Sequence, residues 1–157
     1  MTFSETPFPQ DPERHQIWEM LVPRDIAAFV QADWLMVAGD FVKAGFMGIQ
    51  ANKNANADKW QIGFPTLDTY KAEWLRQAHE TQNTKFAENL EAAIHRATSL
   101  TQIDFNGDMA MAHKKFDGVI KLASGEEDRL NWQTLYLCRR EDGRWKIAGF
   151  VGYMAYR

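Results

Sequence analysis

A single cysteine, Cys138, stands in 157 residues. One cysteine forms no internal disulfide, and no Cys pair has metal-ligand spacing. A reducing compartment is the natural setting, and Cys138 itself reads as a small buried hydrophobe. Apolar runs are short. None approaches the ~20 residues that cross a bilayer as a helix. The first sixteen residues carry Pro7, Pro9 and Pro12 with acids between them, and lack the apolar stretch of a signal peptide. A cytoplasmic protein with no membrane role is therefore expected. Runs of one charge sign are missing too. The chain has 18 basic and 21 acidic residues, for a formal net charge of −3. The longest basic clusters are Lys114-Lys115 and Arg139-Arg140, and neighbours on a strand point to opposite faces. Nucleic acid binding needs a basic patch to neutralise phosphates, so no nucleic-acid partner is expected. His15, His79, His95 and His113 show no close metal spacing. The run Asn52-x-Asn54-x-Asn56-x-Asp58 has the outline of a calcium loop. Ala57 replaces the required Gly, however, Gly63 replaces the bidentate Glu, and the first ligand is neutral. No metal and no other cofactor are expected.

Aromatics are abundant: 6 Trp, 10 Phe and 4 Tyr. Such side chains fill cores, line pockets and build interfaces. The length fits a single domain, in which folding buries roughly 70% of the unfolded chain's surface. Residues 1–11 read as an extended arm and 12–157 as the domain. Asp11 is placed to cap a first helix running from Pro12 to Leu21, and Pro23 interrupts. A second helix begins near Arg24-Asp25, with Asp25 at its positive end. Its apolar stripe is Ile26, Phe29, Val30, Trp34 and Val37, and Ala38-Gly39 ends it. Phe41 to Ile49 is strand-like, and residues 50–63 are a polar loop. Pro65-Thr66 opens a third helix, which buries Leu67, Tyr70, Trp74, Leu75 and Ala78. Residues 85–93 fit helix or strand.

From there the chain reads as an antiparallel meander. Strands are expected at 94–105, 108–122, 130–140 and 145–156. Asn106-Gly107 and Asp142-Gly143 are the tight turns. Helices early and strands late imply α+β. Three segments carry a family likeness: Asp25-Ile-Ala-Ala-Phe-Val-Gln-Ala-Asp33-Trp34 before a strand, Ile103-Asp-Phe-Asn-Gly-Asp108-Met-Ala-Met-Ala-His113 as a central hairpin, and Asp142-Gly-Arg-Trp145-Lys-Ile-Ala-Gly-Phe150 as a last hairpin. In order and spacing they resemble the nuclear transport factor 2-like (cystatin-like) superfamily over roughly residues 12–156. The resemblance implies a cone, with N-terminal helices packed on a curved, mostly antiparallel sheet. The superfamily includes ketosteroid isomerases, scytalone dehydratases, SnoaL-like polyketide cyclases and many members of no known reaction, so fold does not decide function.

Two titratable residues are candidates for chemistry. Asp33 falls on the apolar stripe. Desolvation there would raise its pKa and suit it to general acid–base work, whereas the family pattern has an Asp at this point capping the next helical turn. With Asn106-Gly107 as the turn, His113 stands opposite Leu100 and Arg96 opposite Asp117. Their common face is either a polar pocket wall or a solvated face, and Arg96 with Asp117 reads equally as a cross-strand salt bridge. No carboxylate stands where an isomerase of the superfamily has its base: Asn52 and Asn54 occupy the first-strand region.

The expected function is a pocket for a small apolar or aromatic molecule, walled by Trp34, Trp60, Tyr70, Trp74, Trp132 and Tyr136 and anchored by a few polar groups such as Arg96. In its enzymatic form this is cofactor-free isomerisation, cyclisation or dehydration by proton transfer, with Asp33 or His113 as base. The alternative is an interaction module. With Asp142-Gly143 as the turn, Trp145, Ile147, Val151 and Tyr153 share one face of the last hairpin, and Leu135, Leu137, Ala148, Phe150 and Met154 share the other. Both faces are apolar, where a half-wet strand pair would alternate. A homodimer through the outer sheet face is therefore expected.

Overall fold

The computed structural model describes residues 3–156. Met1 and Thr2, which open the expected arm, lie outside the described residues. Asp11 caps α1 (Pro12–Glu19): its carboxylate accepts from the Arg14 N–H. Pro23 does not interrupt the helix. A π-type segment, Met20–Arg24, absorbs it, and the chain runs straight on into α2 (Asp25–Gln31). The wider turn frees the carbonyl that a proline ring would strike. The expected long second helix stops early, because Ala32 turns left-handed at φ 52°.

The segment Phe41 to Ile49 is not one strand. Phe41 makes an isolated bridge to Ile147, and β1 covers only Met47–Gln50. The polar loop ends in a short β2 (Gln61–Phe64). Thr66 and Thr69 form a reciprocal capping box that starts α3 (Leu67–Gln82). The ambiguous stretch resolves as helix: Asn89 caps α4 (Leu90–Ala97). The expected strand from residue 94 therefore begins only at Thr98, and Arg96 lies on α4, not opposite Asp117.

Four long strands follow: β3 (Thr98–Asn106), β4 (Met109–Lys121), β5 (Glu127–Glu141) and β6 (Arg144–Met154). The sheet order is β2-β1-β6-β5-β4-β3, antiparallel except where β1 meets β6. The β3–β4 loop is Gly107-Asp108, since Asn106 pairs with Met109. His113 thus stands opposite Gln102, not Leu100. At the other turn Glu141 pairs with Arg144, and Asp142 and Gly143 both take positive φ (54° and 78°), as a type I′ hairpin needs.

Beyond that turn β6 departs from simple alternation. Cys138 pairs with Ile147 but Leu137 with Gly149, so Ala148 is an extra, bulged residue. The bulge exchanges the faces of everything after it. Phe150 becomes core and Val151 points outward, opposite Leu135. A second irregularity falls at Gly152-Tyr153, where Tyr153 is left-handed (φ 56°). The core fills the space between the helices and the inner sheet face, with Ile17, Leu21, Ile26, Trp34, Trp145 and Phe150 among its members. No helix among the described residues is long and apolar enough to cross a membrane.

Candidate functional site

One end of the cone is left open. Between α2, α3, α4 and the inner faces of β4, β5 and β6 lies a cavity of about 670 Å³. Its walls are largely apolar: Phe29 and Trp74 from the helices, Leu90 and Ile94 from α4, Phe116 and Trp132 from the sheet. Phe116, Trp132 and Tyr153 form a stack across three strands, with centroid spacings of 4.7 and 5.2 Å. The left-handed backbone at Tyr153 turns that ring inward, where it lies on Trp132 and its hydroxyl donates to Gln77 Oε1 (3.2 Å). Gln77 in turn donates to Glu73, which Arg76 holds from solvent. The Arg76 bonds keep the Glu73 carboxyl below its ordinary range. Residues at a sparsely populated φ often mark a binding surface.

The deep end is polar. Lys114 is buried on the inner face of β4. Its ammonium donates to the Leu21 carbonyl (2.5 Å) and to Asp25 Oδ2 (3.0 Å). The carbonyl belongs to the π-type segment, so the proline-bearing turn supplies one acceptor and the first residue of α2 the other. Lys114 is 1% exposed and Asp25 30%, and both line the cavity, so the carboxylate is the more open member of the pair. Tyr70 and Tyr136 line the same end. Burial is the main cause that pushes both phenols well above the usual range, so each remains an O–H donor. A buried ammonium with an ionic partner and a carbonyl is the arrangement that makes burial of charge tolerable.

Four of the residues expected to wall a pocket, Tyr70, Trp74, Trp132 and Tyr136, line this cavity. Trp34 is packed behind them, stacked on Phe41 and edge-on to Trp74. Trp60 sits in the polar loop and donates to the Asn54 carbonyl. Arg96 is exposed, bound to Glu88 and the Val119 carbonyl. Asp33 accepts from the Leu35 N–H and so caps the turn Trp34–Met36, away from the cavity lining. His113 lies on the outer face of β4, with Nε2 3.6 Å from Asp104. The sheet separates it from the cavity. Asp25 and Lys114 were not singled out from the sequence. A signal existed, because Lys114 alone is ionic among the inward positions Ala110, Ala112, Lys114, Phe116 and Ile120 of β4.

Solved structures share this fold. An NTF2-like protein of unknown function from Shewanella baltica superposes with a TM-score of 0.53 at 14% identity, covering 89% of this chain and 91% of its own. A domain of unknown function from Nostoc punctiforme, described as having a cystatin-like fold, gives 0.59 at 12% identity, covering 90% and 76%. The chain has the nuclear transport factor 2-like (cystatin-like) fold. The neighbours on this NTF2-like fold are mostly of unknown function. They include a protein from Novosphingobium aromaticivorans named a provisional scytalone dehydratase, with a TM-score of 0.55 at 16% identity over 89% of this chain and 82% of its own. No protein-family profile matches the chain, and no curated protein matches it in sequence. At such identities the likeness carries the NTF2-like fold and no reaction.

Proposed function

We propose that the chain binds a small, largely apolar aromatic molecule in the cavity between its helices and its sheet. The observation that carries this reading is the cavity itself: about 670 Å³, with an aromatic wall, a buried polar end at Asp25 and Lys114, and further polar side chains such as Glu73, Gln77 and Arg129 elsewhere in its lining. Ligand pockets have this size and this apolar-with-few-anchors chemistry. Proton-transfer chemistry, as an isomerase, cyclase or dehydratase would perform, is the enzymatic form of the same reading. The titratable groups at the cavity's deep end are Asp25, Lys114 and the tyrosines, so the base is sought there and not at Asp33 or His113. The test is calorimetric titration with naphthalene as an apolar aromatic probe. Saturable one-site binding is expected, and Ile94→Trp, which fills the space beside α4, should abolish it while far-UV circular dichroism stays unchanged. Absence of saturable binding to the wild-type chain by naphthalene and by its polar bicyclic analogues alike rejects the reading.

A second reading is self-association through the outer sheet face, and one observation favours it. Met109 and Leu137 are 60% and 45% exposed on that face, where Met111 pairs with Leu137 and Leu135 with Val151. The occupant is a second copy. The apolar stripe runs between Asp104 on the β3 side and Arg139 on β5, so a two-fold mate sets unlike charges together. Leu137→Asp should then convert a dimer to a monomer in light scattering. A wild-type monomer of 18.1 kDa at micromolar concentration rejects it.

A further inference from the structure

The polar end of the cavity is not a general anchor. Its groups are fixed before any ligand arrives, and they differ in what they can accept. Lys114 is enclosed, and two of its N–H bonds are already directed to Leu21 O and Asp25 Oδ2. Its charge is further set over the Phe116 and Tyr136 rings, 5.2 and 5.9 Å from their centroids. The ammonium therefore supports Asp25 from behind. Asp25 is the partly open partner, and its second oxygen, Oδ1, makes no hydrogen bond to the described residues. An ionised carboxylate is an acceptor only. Beside it, burial keeps the Tyr70 and Tyr136 hydroxyls protonated; the two bond to each other, which leaves one phenol O–H as a donor. The end thus presents one acceptor adjacent to a donor, with the formal charges of Asp25 and Lys114 cancelling.

We propose, building on the pocket reading above, that the buried end of the ligand is a neutral group carrying a hydrogen-bond donor next to an acceptor, and that Asp25 is the specificity-determining residue that reads the donor. A lactam, a secondary amide or a hydroxy-carbonyl group meets the description. An anionic ligand does not, because the open face of the pair is the carboxylate. A purely apolar ligand leaves Asp25 Oδ1 and the remaining phenol O–H desolvated without a new partner, which is costly. The remainder of the molecule is a flat ring system, since the walls beyond are Phe29, Trp74, Phe116 and Trp132. Lys114 is a positioning residue: its bond to Asp25 Oδ2 fixes the orientation of the carboxylate.

The test uses four bicyclic probes of nearly equal size, titrated calorimetrically into the full chain: naphthalene (neither group), quinoline (acceptor only), naphthoate (anion) and carbostyril (donor beside acceptor). Carbostyril should bind at least about tenfold tighter than naphthalene, the scale of one hydrogen bond to a charged group, with naphthoate weakest. Asp25→Ala should bring the ratio of carbostyril to naphthalene affinity close to one, a loss of selectivity that a merely structural role would not produce. Lys114→Met should lower carbostyril affinity more than naphthalene affinity, a selective loss that general destabilisation would not produce. The four-probe order on the wild-type chain needs no variant to fold. Equal binding of naphthalene and carbostyril overturns this inference while the pocket reading stands. Tightest binding of naphthoate overturns it in favour of an anion site. Failure of all four to bind removes the pocket reading and this inference together.

Discussion

Asp40 offers the sharpest test of the packing between helices and sheet. Its side chain is 4% exposed and holds two arginines. Arg24, from the π-type segment, donates through Nε and Nη2 to the two carboxylate oxygens at 2.9 Å each, and Arg144, the first residue of β6, donates to Oδ1. The hydrogen bond to Asp40 is the main cause that raises the Arg24 pKa. One carboxylate therefore ties the helical layer to the start of the last strand. Each charge-assisted bond is worth about 1.5–3 kcal/mol singly, and three such bonds to one group do not add. Breaking a buried pair costs about 3–5 kcal/mol. Arg24 and Arg144 are 29% and 42% exposed, so water can replace part of what they lose, and the low end applies. Asp40→Ala should cost about 3 kcal/mol. At about 2–4 °C per kcal/mol for a domain of this size, the melting temperature should fall by about 6–12 °C. Urea unfolding should show a lower midpoint with an unchanged slope. Replacing the triad together, as Asp40→Leu with Arg24→Met and Arg144→Met, should recover most of the loss. A loss under about 1 kcal/mol for Asp40→Ala at constant slope would refute the reasoning, since desolvation of the pair would then have offset its attraction.

Gly149→Ala should destabilise by about 1–3 kcal/mol, because an added Cβ would lie 2.3 Å from the Met47 carbonyl oxygen; an unchanged urea midpoint would show that β1 yields freely. Burial pushes the Cys138 thiol up to about 12, so the folded chain should resist iodoacetamide at pH 8 and react once unfolded; rapid native alkylation would place the thiol elsewhere. Burial, with Lys114 as a smaller cause, lowers the His95 pKa. The folded chain then binds the proton less readily than the unfolded one, so stability holds at neutral pH and falls as pH drops below about 6.5. His95→Gln should flatten that part of the urea-midpoint profile, and an identical profile in the variant would assign the slope to other groups.

Much of the fold was legible because the signals were local. Asp11, Thr66 and the Asp142-Gly143 turn announce their roles within four residues, and the order of helices and strands follows from periodicity. What was not legible depends on partners distant in the chain. The one local mark of the bulge at Ala148 is the neighbouring Gly149, and a strand glycine fits several readings. The bulge is forced by β5 on one side and β1 on the other, and it moved Phe150 inward against simple alternation. Pro23 reads as a break because the π-type turn that accommodates it is rare. In the site, Tyr70, Trp74, Trp132 and Tyr136 were visible as aromatics on apolar faces. The polar end was harder to see, because Asp25 looks like an ordinary helix-start acid and Lys114 like half of a surface doublet. Only the pairing of a strand with a helix some ninety positions earlier brings them together.

The single parallel pairing sets a schedule for the ribosome. β1 hydrogen-bonds to β2 and to β6, and through β6 alone does that edge join the rest of the sheet. Residues 47–64 are thus synthesised long before the strand that receives them, Arg144–Met154. The β3–β4–β5 meander can pair as it emerges, whereas β1 and β2, paired only with each other, wait while every residue between Phe64 and Arg144 is made. That early hairpin is the stretch a nascent-chain chaperone has most time to hold, and truncation before residue 144 should leave it without a sheet to join.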